Sequence, residues 1–159
     1  MTYELTVQIV GSGHIRENNE KSSVGHMWYE LKATDANGNV LVDSNGNPMF
    51  YSFGFNPVEG TLDFGRGIAE GLLSNRDHID YPNPPFSSSM WITETQFNLL
   101  RDFGLKPSEF GFDTTNWTLN NNCIDFVWSA LDAANLNRGN IEAEIGPWGN
   151  RERIDLIFG

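Results

Sequence analysis

The chain has 159 residues, 39% of them hydrophobic and 13% aromatic, enough to bury one core without disulfide or metal staples and far from the composition of a disordered segment. Twenty-one acidic residues against ten basic ones leave a formal charge of −11, a field that repels phosphate backbones and anionic lipid surfaces and argues against nucleic acid and membranes as partners. No apolar run approaches the roughly 20 residues of a bilayer span, and Met1-Thr2-Tyr3-Glu4-Leu5 lacks the basic start and unbroken apolar stretch of a signal peptide, so any export is expected by a signal-peptide-independent route.

A single domain over residues 1–159 is expected, and its elements can be taken in chain order. Tyr3, Leu5, Val7 and Ile9 alternate with polar residues, the period of a half-buried strand, until Gly11-Ser12-Gly13 breaks it. Residues 24–34 predict a second strand, Val40 to Val42 a short third, and Met49 to Phe55 a fourth, with Asn37-Gly38 and Asn45-Gly46 as the turns between them. Residues 56–89, rich in Pro, Gly, Asn and Ser, predict a long excursion over the surface, with a short helix near Ile68 to Leu73. Thr93 and Gln96 have capping-box spacing ahead of Phe97, Leu100 and Phe103, so a helix is expected there, stopped by Gly104. A second helix is expected over residues 123–134, with Ile124, Val127, Trp128 and Leu131 on one face, and the tail carrying Ile154, Leu156 and Ile157 is expected to be a strand or a helix-free edge. The fold class is therefore α+β, a small antiparallel sheet packed on helices.

Asp35-Ala-Asn37-Gly-Asn39 repeats as Asp43-Ser-Asn45-Gly-Asn47. Oxygen side chains at alternate positions around a glycine resemble a calcium loop, but an EF-hand needs a Glu at its twelfth position, where this chain has Gly46 and Gly54. Two hairpin turns account for the repeat, and neither a metal nor a cofactor is expected.

Cys123 is the only cysteine, so no internal disulfide forms. It falls at the start of the second helix after Asn120-Asn121-Asn122, where unpaired backbone N–H groups and the positive end of the helix dipole stabilise a thiolate. The alternative is a small buried thiol that packs like an alanine. A nucleophilic thiolate needs an imidazole, and of His14, His26 and His78 the best placed is His26, following Gly25 at the head of a strongly patterned strand. His14 and His78 read as solvated bystanders, and Asp125 as an acid favouring the helix N-terminus.

Gly25-His26-Met27-Trp28-Tyr29, Tyr51-Ser52-Phe53-Gly54-Phe55 and Asn121-Asn122-Cys123-Ile124-Asp125-Phe126-Val127-Trp128 together resemble the circularly permuted NlpC/P60 enzymes of the papain-like superfamily, in which the histidine strand precedes the cysteine helix. Within that superfamily the similarity is greatest to small bacterial effector domains of type VI secretion kind that cut peptidoglycan. The resemblance implies Cys123 as nucleophile, His26 as base, and the Cys123 N–H as part of an oxyanion site. The residue that orients the imidazole usually comes from the strand after the histidine, where Ser52 is the nearest polar side chain. It further implies a monomeric amidase acting on peptidoglycan stem peptides in a target periplasm, held in the cytoplasm of the producing cell and neutralised there by a cognate immunity protein. The competing expectations are acyl transfer or lipid deacylation on the same fold, and a non-catalytic binding domain whose Trp28, Tyr29, Trp91, Trp117 and Trp148 form an aromatic face.

Overall fold

A computed structural model describes residues 1–159. The alternation at the start of the chain gives strand β1 (Thr2–Val10), with Leu5, Val7 and Ile9 fully buried and Thr6 and Gln8 on the more open face. Strands β2 (His26–Thr34) and β3 (Phe50–Pro57) follow, antiparallel, with Tyr29 opposite both Val7 and Phe53. These three strands lie where the sequence pattern places them. The expected strand at Val40 to Val42 does not form, leaving only isolated bridges of Val40 to Thr34 and of Val42 to Pro48. The two turns consume the residues around it. Asp35 Oδ1 accepts from the backbone N–H groups of Asn37 (2.8 Å) and Asn39 (3.0 Å), and Asp43 Oδ1 from those of Asn45 and Asn47 (both 2.9 Å).

The stretch expected to wander over the surface is structured. Residues expected as a short helix form strand β4 (Ile68–Ser74), which pairs with β3 through Phe55 opposite Leu73. A short apolar run carries too little periodicity to separate helix from strand, and here the open edge of β3 decides it. One helical turn follows, α1 (Asp77–Asp80), and then β5 (Phe86–Ile92), which returns to the far side of β1. Strand β6 (Asn116–Thr118) closes an antiparallel six-stranded sheet of order β5-β1-β2-β3-β4-β6.

Helix α2 (Glu94–Leu105) starts with the expected capping box: Thr93 Oγ1 accepts from Gln96 N–H (3.1 Å) and Gln96 Oε1 from Thr93 N–H (2.9 Å). Gly104 lies inside the helix instead of stopping it. A Cβ there would come within 2.3 Å of the Phe53 ring, so this glycine lets helix and sheet meet. Helix α3 (Cys123–Ala133) packs beside α2 on one face of the sheet, where Phe97, Leu100, Phe103, Phe126, Val127 and Leu131 close over Leu5, Val7, Tyr29 and Leu31. Each such fully buried side chain contributes about 1.5–3 kcal/mol of transfer free energy. The tail, expected to be extended, is helix α4 (Arg151–Phe158). Ile154 and Ile157 are three apart and both turn inward, which a strand would not allow. The architecture is α+β, and no helix is long and apolar enough to cross a membrane.

Candidate functional site

Gly25 turns the chain into β2 at φ +83°, and a Cβ on it would lie 2.6 Å from the Val10 carbonyl oxygen. Its N–H donates to Ser22 Oγ at 3.1 Å. His26 therefore enters the sheet opposite Val10 with its direction fixed, and only 3% of its surface remains exposed. The imidazole stacks on Tyr81 (centroids 4.7 Å, planes 29° apart) and on Trp28 (5.6 Å, 18°). Trp28, two residues along the same strand face, is held by its Nε1–H donating to Glu30 Oε2 at 2.8 Å.

Asp77, the first residue of α1 and fully buried, brings Oδ2 to 2.9 Å from His26 Nε2. The distance is that of an ion pair, while the ring N–H is not aimed squarely at the oxygen. The carboxylate therefore acts on the ring chiefly through its charge. Cys123, the first residue of α3 and also buried, is close enough for its thiol to be one of the groups that raise the pKa of the same ring. The helix start is fixed by Asn122, whose Oδ1 accepts from Ile124 N–H (3.0 Å) while its own N–H donates to Asp125 Oδ2 (3.0 Å). Asp125 is thus a capping acid. The Cys123 N–H, in the first turn, has no carbonyl within its own helix to bond.

Burial is the largest single influence on His26 and pushes its pKa down. The Asp77 charge and contact, the Cys123 thiol and the Tyr81 hydroxyl together outweigh it, so the imidazole is held well above its ordinary 6.5. What results is a buried histidine biased toward its charged form by a carboxylate at 2.9 Å, with a thiol among the groups that act on it, the elements of a thiol–imidazole pair.

Ser52 does not belong to this group. It is buried in β3, but the register sets it opposite Glu30, four residues along β2 from His26, or about 13 Å at strand rise. Its hydroxyl has no hydrogen-bond partner. The neighbour of the imidazole is instead Asp77, which lies in the segment read from sequence as a surface excursion. One signal pointed to it: an isolated glycine, Gly54, in the otherwise bulky run of β3, the mark of a close approach.

No family model matches the chain, and no curated protein or solved structure matches it. The remaining candidates are accounted for by their surroundings. His14 Nε2 lies 2.8 Å from the Pro82 carbonyl oxygen, and His78 is exposed, edge-on to Phe50. Of the five aromatic residues considered as a recognition face, Trp28, Tyr29 and Trp117 are buried, whereas Trp91 and Trp148 are 67% and 37% exposed. They do not share one exposed surface. A cleft of about 630 Å³ runs beside α3 between Phe110, Phe112 and the polar residues Asp113, Asp125 and Asp132, but neither Cys123 nor His26 lines it.

Proposed function

We propose that the protein is a cysteine hydrolase in which Cys123 is the nucleophile, His26 the general base and then acid, and Asp77 the residue that orients and charges the imidazole. The observation that carries this is the buried pair of His26 and Asp77 at 2.9 Å, with the buried Cys123 thiol at the head of α3 among the groups that raise the His26 pKa. In the proposed cycle His26 takes the thiol proton and holds it, and the resulting thiolate attacks an amide carbonyl carbon. The oxyanion that forms is met by the free N–H of Cys123 at the dipole-positive end of α3. The imidazolium returns its proton to the departing amine nitrogen, leaving a thioester on Cys123. Water, deprotonated by the neutral imidazole, attacks that thioester and frees the acid and the thiol.

The histidine strand preceding the cysteine helix, as in the permuted NlpC/P60 enzymes that the sequence resembles, supports peptidoglycan stem peptides as the substrate class. It equally supports the proposal of a secreted antibacterial effector with a cognate immunity protein. The test is digestion of purified peptidoglycan sacculi followed by mass spectrometry of the released muropeptides. New peptide termini with the wild-type protein and none with Cys123→Ala are expected. An identical product pattern from both proteins would contradict a thiol mechanism.

A further inference from the structure

The Asp77 carboxylate reaches His26 across the backbone of β3, at Gly54. A Cβ built on Gly54 would lie 1.7 Å from Asp77 Oδ2, 3.0 Å from its carboxyl carbon and 3.2 Å from His26 Nε2. Gly54 has no left-handed backbone angle, so its conformation is one any residue adopts in a strand. Glycine otherwise weakens a strand interior, losing more freedom on folding and packing nothing. The missing side chain is explained only by the space it leaves. Two residues further along the same face, Asn56 donates its Nδ2–H to Asp77 Oδ1 at 3.1 Å. Each carboxylate oxygen therefore has its own neighbour, Oδ1 at the amide and Oδ2 at the imidazole.

We propose that Gly54 and Asn56 are positioning residues: Gly54 provides a slot in the sheet through which the Asp77 carboxylate meets His26, and Asn56 fixes its rotation in that slot. The proposal deepens the Cys123–His26–Asp77 assignment and rests on it for its catalytic meaning, but its geometry stands independently of any substrate. Rotation matters because the carboxylate carries two oxygens and the imidazole faces one. With Oδ1 bound to Asn56, Oδ2 is held toward Nε2, and the charge that acts on the ring stays fixed against it.

The slot makes the cost of a methyl group at position 54 depend on what occupies position 77. Gly54→Ala in the wild-type background is expected to lower the melting temperature and to bring the His26 titration, followed by NMR, down to that of Asp77→Asn. In an Asp77→Ala background, where the carboxylate is gone, Gly54→Ala is expected to leave the melting temperature unchanged or raise it. Asn56→Ala is expected to shift the His26 titration in the same downward direction by a smaller amount, and to lower turnover on the order of tenfold. If Gly54→Ala alone does not fold, the double variant with Asp77→Ala still reads the slot: a melting temperature equal to that of Asp77→Ala alone supports it, and failure to fold overturns it. Equal destabilisation by Gly54→Ala in both backgrounds, or an unmoved His26 titration in Gly54→Ala and Asn56→Ala, would also overturn it. Loss of the slot effect and absence of hydrolase activity are separate results, since the melting and titration arms use no substrate.

Discussion

Alternate residues of β2 meet two different interiors. Met27, Tyr29 and Leu31 face α2 and α3 and are fully buried among apolar side chains. His26 and Trp28 point to the other side and are as deeply buried, but against the Asp77–Tyr81 segment and around an ion pair. The first face stabilises the fold by removing hydrocarbon from water. The second desolvates two ionisable groups, which costs free energy that their attraction only partly returns. Equal burial on the two faces thus serves unequal ends, and substitutions on them are expected to separate stability from activity.

The largest separation is expected at the nucleophile. Cys123→Ala should reduce turnover by at least about 10⁴-fold while shifting the melting temperature little, since alanine suits a helix and fills most of the thiol's volume. Circular dichroism melts beside a product assay check both halves. On the apolar face the effect inverts. Phe126 is fully buried against Tyr29, Phe55 and Phe103, and Phe126→Ala should cost about 3–5 kcal/mol in chemical denaturation. Turnover per folded molecule should then stay within about threefold, a change worth less than 1 kcal/mol in barrier.

Asp77→Asn is expected to be intermediate, with turnover lower by about 10²-fold, because the amide keeps the shape and removes the charge that biases His26. It should also alter the dependence of stability on pH. The folded-state pKa of His26 lies above its unfolded value near 6.5, so its contribution to stability is fully present below about pH 6.5 and is lost as pH rises through the folded value. Wild-type melting temperatures should fall across that window relative to those of Asp77→Asn, in which the His26 component is flattened. The smallest effect is expected at Ser52. Its buried hydroxyl has no partner, so Ser52→Ala should change activity by less than about twofold and leave stability equal or slightly higher. A tenfold loss would return Ser52 to the site.

The same contrast governs what the sequence could disclose. Strands β1, β2 and β3 and both long helices were legible because alternation, capping pairs and helical spacing are local signals, written within a dozen residues of Leu5, Tyr29, Thr93 or Asn122. The places of His26 and Cys123 were legible because each stands at the head of such an element. Strand β4 and helix α4 were misread because Ile68–Ser74 and Ile154–Ile157 are short apolar runs whose type depends on which partner they meet. Asp77 was illegible for a stronger reason. It lies in Arg76-Asp77-His78, a composition ordinary for a solvated turn, and its burial comes from β3, Tyr81 and His26, which no local pattern in those residues records. Ser52 shows the converse error, since the right strand and the right face still leave it four residue steps from the imidazole.

The charge on His26 is the point on which the proposed chemistry depends most. It can be read directly by NMR titration of the three histidine rings, with His14→Ala and His78→Ala spectra to assign them, in the wild-type protein and in Asp77→Asn. His26 is expected to remain protonated well above pH 6.5 in the wild type and to lose its proton at a lower pH in Asp77→Asn. A His26 ring that titrates at or below 6.5 in the wild type, and is unmoved by Asp77→Asn, would contradict an imidazole held charged beside Cys123.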